Sequence, residues 1–334
     1  MKILVYLIGS FLLSFFIQKL SIMLCRKFEL YDLPGERKVH TEPIPRLGGI
    51  GIFISVLIMA LITGLLKNPE LRKIIIASSA IFLLNLFDDL KKAGINNRIK
   101  LVFQIIISVI LYYSGIKISL FLNNEILRFF VTIFWITGIM NSFNLIDNMN
   151  GLSSGLGIIS SLFFSFIFFQ EGKIELMYFS LVLACSLSGF LILNFPKARI
   201  FMGDCGANFL GFLLATISIT GTYVVETRLT RLPVIAPLLI LSVPIYDTLS
   251  VIIIRKLNGY SIFRPDTNHI SHRLTKMGIS QKNSVLVIFL ISVIGGLGAL
   301  MLRDLYLKSA LILLFQLFIF YILITILVYA GKKN

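Results

Sequence analysis

Four short clusters of acidic, amide and histidine residues interrupt a chain that is otherwise strongly apolar. In FPKARIFMGDCGANFLGF, Asp204 follows a lysine and an arginine and lies between two glycines. Glycine permits close backbone approach, and an acid placed there is more typical of an ion site than of a spacer. The other clusters are LFDDLKK with Asp88 and Asp89, NSFNLIDNMNGLSSG with Asn141, Asn144, Asp147 and Asn150, and RPDTNHISHRL with Arg264, Asp266, His269 and His272.

These residue types together indicate phosphoryl-transfer chemistry. Carboxylates gathered in an apolar environment repel one another and need a cation to neutralise them. Mg²⁺ suits this task because it takes oxygen ligands, usually one or two carboxylates with substrate phosphates and water. Histidine is a poor ligand for Mg²⁺, so we assign His269 and His272 to phosphate or sugar contacts. Basic residues of the same loops can clamp a diphosphate, and such sites work mainly by positioning and charge neutralisation.

Each cluster also has a purely structural interpretation. The acidic pair is compatible with a hydrated helix end beside two lysines. Asn141, Asn144 and Asp147 recur every three residues, so one helix face can carry them as ordinary hydrogen-bonding groups between helices. Histidines in a basic loop are compatible with plain solvated side chains. Only Asp204, between its glycines, lacks an equally simple explanation.

The composition predicts a polytopic membrane protein. Of the 334 residues, 57% are hydrophobic and 14% are charged, against roughly 25% charged residues in soluble domains. Three cysteines without a CxxC pair suggest neither a disulfide framework nor a zinc site. The N-terminal apolar run continues past signal-peptide length, so we interpret it as the first membrane helix.

Eleven apolar segments are candidates for membrane helices. A bilayer core of about 30 Å requires roughly 17 to 25 apolar residues per helix. We therefore predict an all-α, polytopic integral membrane protein with about eleven transmembrane helices, folded as one domain over residues 1–334. The segments are 3–24, 47–66, 72–87, 99–116, 126–140, 152–169, 174–194, 205–224, 232–254, 283–302 and 308–330.

The distribution of basic residues predicts the orientation. Most of the 31 Lys and Arg residues fall in the loops after odd-numbered segments and in the C-terminal tail. The positive-inside rule therefore places the N-terminus outside and the C-terminus in the cytoplasm. All four polar clusters then share the cytoplasmic face. The net charge of +15 suits an anionic membrane surface or a phosphorylated substrate, and the helical segmentation argues against nucleic acid as a partner.

Six stretches between residues 37 and 274 occur in the order of a known family: RKVHTEPIPRLGGI, LFDDLKK, NSFNLIDNMNGL, NFPKARIFMGDCGANFLG, VPIYDT and RPDTNHISHRL. Together they resemble the polyprenyl-phosphate N-acetylhexosamine-1-phosphate transferases of glycosyltransferase family 4. That family includes initiators of O-antigen and teichoic-acid linkage-unit synthesis and, more distantly, phospho-N-acetylmuramoyl-pentapeptide translocase.

The resemblance implies an activity and its partners. A sugar 1-phosphate is transferred from a UDP-N-acetylhexosamine to polyprenyl (undecaprenyl) phosphate, UMP is released, and Mg²⁺, or Mn²⁺ in its place, is the cofactor. The implied location is the bacterial cytoplasmic membrane, where the reaction is the first membrane step of cell-surface polysaccharide synthesis. The resemblance does not decide whether the protein forms a homodimer.

The resemblance also assigns roles to residues. Asp204 matches the Mg²⁺-binding aspartate, and Phe201 matches an aromatic residue that stacks on uracil. Asp88 and Asp89 match an acidic pair near the lipid phosphate, and Asp247 in VPIYDT is expected to pair with a basic neighbour. The predicted set comprises the catalytic residues Asp88, Asp89, Asp147, Asp204, His269 and His272, the substrate-binding residues Lys38, Arg46, Lys100, Asn141, Asn144, Asn150, Phe201 and Arg264, and the metal ligands Asp204 and Asp147.

Three positions depart from the family pattern. Asn150 replaces an aspartate, so an amide carbonyl takes the place of the carboxylate that accepts from the uracil imide. Ser271 stands where the family commonly has a histidine. Cys205 replaces a serine or threonine after the metal aspartate, and a thiol is a weaker hydrogen-bond donor.

The predicted mechanism is a single in-line displacement, in which a polyprenyl phosphate oxygen attacks the phosphorus attached to the sugar. A phosphate monoester is largely dianionic at neutral pH because its second pKa is about 6. Asp88 or Asp89 is therefore expected to position this phosphate rather than to deprotonate it. A two-step route through an aspartyl intermediate is the alternative.

Other functions are weighed against this one. A transporter or flippase of a phosphorylated substrate would carry ionisable residues near helix centres, whereas nearly all of them here lie at predicted helix ends. A CDP-alcohol phosphotransferase needs a DGxxAR run, which DNMNGL does not supply. A binding-only relative without activity is a third alternative. For the sugar, HISHRL favours N-acetylglucosamine, with another N-acetylhexosamine left open.

Overall fold

The computed structural model describes residues 2–32, 42–91, 94–118, 124–221, 232–261, 267–302 and 305–330. Two predicted substrate-binding residues, Lys38 and Arg264, lie outside the described residues. The described chain is almost entirely helical and groups into two compact units, Met1–Gly221 and Thr222–Asn334. The all-α class is thereby confirmed, while the single-domain organisation stays a prediction.

In its described residues the first unit contains eight α-helices, a short 3₁₀ turn and a pair of two-residue strands. The strands β1 and β2 run antiparallel, with Tyr31 opposite Pro45 and Asp32 opposite Ile44. The elements are α1 (Lys2–Lys27), β1 (Tyr31–Asp32), β2 (Ile44–Pro45), α2 (Gly48–Ile62), a 3₁₀ turn (Leu65–Lys67), α3 (Pro69–Leu90), α4 (Asn97–Tyr113), α5 (Glu125–Ile146), α6 (Leu152–Gln170), α7 (Ile174–Asn194) and α8 (Gly203–Thr220).

Where the structure describes the second unit, it contains five α-helices after a 3₁₀ turn at Leu232–Ile235. Its two long helices are the last two of the chain, and three shorter helices precede them. The helices are α9 (Ala236–Ile240), α10 (Ser242–Leu257), α11 (Ile270–Lys276), α12 (Gln281–Met301) and α13 (Leu307–Ala330).

Seven described helices are long and apolar enough to cross a membrane, namely α1, α5, α6, α7, α8, α12 and α13. The protein is therefore a multi-pass membrane protein. The other predicted segments also contain helices, but α2, α4 and α10 are only 15, 17 and 16 residues long. Helix α3 has 22 residues and carries charges at both ends. Eleven crossings and the orientation remain predictions.

The ninth predicted segment, 232–254, is not one continuous helix. The chain passes through a 3₁₀ turn and α9, breaks at Leu241, and continues as α10. The reason is Pro244: without an N–H, it cannot donate to the carbonyl four residues earlier, that of Ile240. In the first turn of α10 the missing N–H costs nothing, because that turn has no intrahelical acceptors.

Asparagine and serine side chains set the beginnings of several helices. The Asn68 side chain accepts from the N–H groups of Glu70 and Leu71 before α3, and Pro69 occupies the first helical position. Asn96, Asn124 and Ser280 cap α4, α5 and α12 in the same way. Such caps satisfy backbone donors that have no partner within the helix.

Helix α8 lies at the centre of the first unit. Its side chains from Cys205 to Ile219 are all buried, and it packs against α2, α3, α5 and α6. Two glycines allow α2 and α8 to touch: a Cβ on Gly206 would lie 2.7 Å from the Cα of Gly49. Small residues permit such close helix approach in membrane proteins. The first turn of α8, which contains Asp204, is thus held by its neighbours.

Candidate active site

The acidic pair at the end of α3 is buried rather than hydrated. Asp88 is 7% exposed and Asp89 is 5% exposed, so the interpretation as a hydrated helix end is wrong. The two carboxylates have different partners. Asp88 accepts a hydrogen bond from the backbone N–H of Ile95 and contacts the ammonium of Lys100. These contacts place Asp88 between the loop before α4 and the first turns of that helix.

Lys100 joins the acidic pair to Asp204. Its ammonium contacts Asp88 and donates a hydrogen bond of 2.7 Å to Oδ2 of Asp204. The Lys100 side chain is 12% exposed. One lysine therefore supplies positive charge to two carboxylates from different helices.

Asp89 caps α8 from a neighbouring helix. Its carboxylate accepts hydrogen bonds from the N–H groups of Cys205, at 2.9 Å, and Asp204, at 3.3 Å. The residue before α8, Met202, makes no side-chain cap of its own. An acid at a helix N-terminus is favoured by the exposed N–H groups and by the helix dipole. Asp89 thus fixes the turn that carries Asp204.

Backbone contacts at the start of α8 leave no room for a larger residue than glycine at position 203. Gly203 has φ of +73°, and a Cβ there would clash with the backbone carbonyl oxygen of Arg46 and lie 2.8 Å from the side-chain Oδ2 of Asp89. The guanidinium of Arg46 donates to the Asp89 backbone carbonyl. Phe201 donates its N–H to the Pro45 carbonyl at 2.7 Å. Arg46 is therefore attached to Asp89, and Phe201, just before α8, is attached to β2.

Asp147 ends α5 and faces the same group of acids. Burial, with the negative charges of Asp204 and Asp89, raises the pKa of Asp147 to about 7. No described residue donates a hydrogen bond to its carboxylate. A carboxylate with such neighbours favours a cation beside it.

The donor set is compatible with Mg²⁺. Within the described part of the chain, no group of three or more His, Cys, Asp or Glu side chains is arranged to hold a metal ion. Mg²⁺ is usually held by only one or two carboxylates, with phosphate and water as its remaining ligands. Burial first, and then the neighbouring charges of Asp204 and Asp89, raise the pKa of Asp147, and a cation bound beside these acids would favour their ionised forms. The metal role of Asp147 and Asp204 stays a prediction.

A buried row of side-chain amides lies behind Asp204. Asn141 donates to Gln104 at 2.8 Å, and Gln104 donates to Asn208 at 3.1 Å. Asn208 in turn donates to the Asp204 carbonyl at 2.9 Å and to Asn85 at 3.3 Å. The row joins α5, α4, α8 and α3. Asn141 is therefore an interhelical hydrogen-bonding group in this structure, as the structural interpretation of its cluster predicts.

Two other residues of the NSFNLIDNMNGLSSG cluster, Asn150 and Gly151, contact the end of α7 and the loop that follows it. Asn150 donates to the Pro196 carbonyl at 3.2 Å. The N–H of Gly151 donates to the Asn194 side chain at 2.6 Å. Asn144 is partly exposed. None of these contacts tests the predicted role of Asn144 and Asn150 in substrate binding.

In the second unit, Asp247 pairs with His269. Oδ2 of Asp247 lies 2.7 Å from Nδ1 of His269, and Oδ1 accepts a 2.7 Å hydrogen bond from the N–H of Ile270. His269 is 5% exposed, so the interpretation of this residue as an ordinary solvent-exposed side chain is wrong. His272 is partly exposed, with its ring centroid 6.4 Å from that of His269. The expected basic partner of Asp247 is thus a histidine.

Sequence comparison identifies the family. The model of Glycosyl transferase family 4 matches residues 71–222. The probable undecaprenyl-phosphate N-acetylglucosaminyl 1-phosphate transferase of Bacillus subtilis (strain 168) is 35% identical over 327 residues, which cover 96% of this chain and 90% of that protein. This chain belongs to glycosyl transferase family 4.

More distant relatives carry similar names. The undecaprenyl-phosphate alpha-N-acetylglucosaminyl 1-phosphate transferase of Thermotoga maritima is 31% identical over 267 residues, or 78% of each chain. The decaprenyl-phosphate N-acetylglucosaminephosphotransferase of Mycobacterium leprae is 29% identical over 315 residues, covering 84% of this chain and 78% of that protein. The family 4 protein described here is thus an enzyme of the transferase class.

The first unit of this family 4 transferase brings together most of the predicted catalytic residues. Lys100 and Asp89 each contact Asp204 or its backbone, and Asp147 interacts electrostatically with Asp89 and Asp204. The matched region 71–222 contains all four acids of this cluster. Convergence of these acids with His269 and His272 stays a prediction.

Sequence reasoning missed three residues of the amide row: Asn85, Gln104 and Asn208. Each is a lone carboxamide in an apolar helix, and each is at most 2% exposed. The spacing of Gln104 and Asn208 from charged residues on their helices could have revealed these two amides. Lys100 and Gln104 are four residues apart on α4, and so are their partners Asp204 and Asn208 on α8. Matching intervals of four on two helices indicate two facing pairs.

Proposed function

We propose that this protein transfers N-acetylglucosamine 1-phosphate from UDP-N-acetylglucosamine to undecaprenyl phosphate, giving a polyprenyl-diphospho-sugar and UMP, with Mg²⁺ as cofactor. The named activities of the relatives support the acceptor and the sugar. The arrangement of Lys100, Asp88, Asp89, Asp147 and Asp204 supports phosphoryl transfer. The proposed setting is the cytoplasmic membrane of a bacterium, at the first membrane step of cell-surface polysaccharide synthesis.

The observation that carries the proposal is the position of Asp204. Its backbone N–H is capped by Asp89, its carboxylate is bound by Lys100, and its side chain is 40% exposed. A carboxylate that is fixed on one side and open on the other is suited to bind a cation together with a ligand. Asp204 and Asp147 are the residues that would hold Mg²⁺, which neutralises phosphate charge when bound.

The partners of the acidic pair favour a direct displacement. The Asp88 carboxylate is occupied by Lys100 and the Ile95 N–H, and the Asp89 carboxylate by two N–H groups of α8. Carboxylates engaged in this way are poorly placed as nucleophiles. The lipid phosphate is already a dianion for the most part at neutral pH. We therefore assign positioning roles to Asp88 and Asp89 in a single in-line step.

The test is an assay of the full chain purified in detergent. Undecaprenyl phosphate is incubated separately with UDP-N-acetylglucosamine, UDP-N-acetylgalactosamine and UDP-glucose, each with Mg²⁺, Mn²⁺ or EDTA. We expect UMP release, matched by a lipid-linked sugar phosphate, with UDP-N-acetylglucosamine and metal, and none with EDTA. Release from UDP-N-acetylgalactosamine alone would keep the reaction but change the sugar.

A second arm separates the transferase from a transporter. Protein in sealed vesicles is supplied with the labelled UDP-sugar but without polyprenyl phosphate. A transferase leaves the label outside and releases no UMP. Accumulation of intact UDP-sugar inside the vesicles would contradict the proposal and favour transport.

A further inference from the structure

A buried carboxylate–imidazole pair in the second unit determines which histidine nitrogen bears the proton. Asp247 is 0% exposed, and its two oxygens meet Nδ1 of His269 and the N–H of Ile270. A carboxylate offers only acceptors. The proton between the pair therefore lies on Nδ1 of His269.

The second ring nitrogen is left for another partner. A neutral imidazole has one N–H and one lone pair, and a hydrogen bond at one nitrogen sets the identity of the other. With Nδ1–H directed at Asp247, Nε2 of His269 bears the lone pair. No residue in the described part of the chain is hydrogen-bonded to Nε2.

We propose that Asp247 is a positioning residue, which holds His269 with Nδ1–H toward the carboxylate so that Nε2 meets a phosphate oxygen. When Nε2 takes up a proton, the carboxylate stabilises the imidazolium, and Nε2–H donates a charge-assisted hydrogen bond to phosphate. Carboxylates orient histidines in the same way at metal sites. The phosphate ligand rests on the proposed function, whereas the tautomer does not.

A second contact keeps α11 on α10 without Asp247. The guanidinium of Arg273 donates a hydrogen bond of 2.9 Å to the hydroxyl of Ser250. Ser250 lies three residues after Asp247 on α10, and Arg273 lies four residues after His269. Two contacts, about one turn apart, therefore align the helices. A change at Asp247 that preserves size is expected to leave this alignment in place.

The decisive variant is Asp247→Asn. An asparagine oxygen can still accept from Ile270, while the amide NH₂ replaces the oxygen that faces Nδ1 and donates to it. We expect Nδ1 to lose its proton and Nε2 to gain one. The chain contains only three histidines, so ¹⁵N-histidine labelling gives three imidazoles, and the His269 signals are those absent from His269→Asn.

Three outcomes are expected for ligand-free full-length protein. Wild-type His269 shows the Nδ1–H tautomer, Asp247→Asn shows Nε2–H, and Ser250→Ala shows the wild-type tautomer. The Ser250 variant is the matched control, because it removes the neighbouring contact on the same helix. A wild-type Nε2–H tautomer, or an unchanged tautomer in Asp247→Asn, would overturn the proposal.

The ligand is tested with UDP and inorganic pyrophosphate, each with Mg²⁺. In wild type we expect the Nε2 signal of His269 to move toward that of an imidazolium. The affinity of Asp247→Asn for UDP should weaken about tenfold, the difference between charged and neutral hydrogen bonds. An Nε2 signal unmoved by both probes would overturn the phosphate contact.

A second variant covers failure of Asp247→Asn to fold. In His269→Asn the side-chain amide retains a donor toward Asp247 but has no atom in place of Nε2. We expect it to unfold at the wild-type temperature and to bind UDP at least tenfold more weakly; wild-type UDP affinity would overturn the proposal.

If wild type releases no UMP but shows the Nδ1–H tautomer and the Nε2 response, the proposed function fails and the positioning role of Asp247 stands.

Discussion

At the scale of single residues, Lys100 is the group on which the acidic cluster depends. Its ammonium contacts Asp88 at the end of α3 and Asp204 at the start of α8. Asp88 is nearly buried, so its charge is screened weakly by solvent. Removing one partner of such a pair leaves an uncompensated charge, which is costly.

Lys100→Met is expected to lower UMP release by about 10²–10³ fold, because it removes a preorganised charge from a phosphoryl-transfer site. The thermal unfolding midpoint should fall as well. Lys91→Met is the matched control: Lys91 is exposed, and its ammonium lies over the Phe87 ring. Wild-type turnover in Lys100→Met would contradict this role.

Asp147 predicts an unusual dependence of stability on pH. Its pKa in the folded protein is about 7, whereas an unperturbed aspartate has a pKa of about 3.9. Between these values the folded state binds a proton that the unfolded state has lost. The contribution of Asp147 therefore makes the protein less stable as pH rises through this window.

We expect the unfolding midpoint of metal-free protein in EDTA to fall by a few degrees between pH 5 and pH 7.5. Asp147→Asn cannot ionise and should show a smaller decrease over the same range. The unfolding midpoints of both proteins in detergent are measured by far-ultraviolet circular dichroism. Equal decreases in the two would show that Asp147 is not the titrating group.

At the scale of helices, α4 and α8 are joined by two facing pairs. Lys100 binds Asp204, and one turn further along, Gln104 binds Asn208. The amide pair is buried, so it fixes the alignment of the two helices and with it the position of the lysine. Hydrogen bonds of this kind between membrane helices are modest individually but specific in geometry.

Either Gln104→Leu or Asn208→Leu removes the hydrogen bond between the two side chains and leaves one buried polar atom of the remaining amide unpaired, at a cost of about 1–3 kcal/mol. The double variant should be less destabilised than the sum of the single variants. Ser108→Ala is the control, since Ser108 is buried on α4 but bonds only to its own helix at the Gln104 carbonyl. Strictly additive changes in unfolding free energy would contradict coupling of the pair.

Helix α2 touches α8 through glycine. A Cβ on Gly206 would meet Gly49 and the Met202 side chain, whereas a Cβ on Gly138 of α5 meets no atom within 4 Å. Gly206→Ala is therefore expected to cost about 1–3 kcal/mol through overpacking. Gly138→Ala should be neutral or slightly stabilising, because alanine favours a helix. Equal unfolding free energies for the two variants would contradict the close contact.

At the scale of the whole molecule, local sequence signals predict the helices well. Apolar runs and caps such as Asn68 are short-range features, and helices occur in all eleven predicted segments. Pro244 explains the one interrupted segment, and that signal was available in the sequence. What the apolar runs could not show is which helices neighbour one another.

The partners within the site depend on that packing. Asp88 and Asp89 are adjacent in sequence and were assigned one role, but in the structure one binds Lys100 and the other caps α8. The cap joins residues 116 positions apart, and no local pattern encodes such a pairing. Asp147 and Asp204 were recognisable because acids are rare in apolar surroundings, which is a property of composition rather than of packing.

UMP release by Asp204→Asn tests the account most directly. The assay uses full-length protein, undecaprenyl phosphate, UDP-N-acetylglucosamine and saturating Mg²⁺, with wild type and Lys91→Met as active references. We predict a loss of at least about 10³ fold in metal-dependent turnover. A thermal unfolding transition with a measurable midpoint will show that the variant is folded. Turnover near that of wild type would contradict the assignment of Asp204 as the centre of the site.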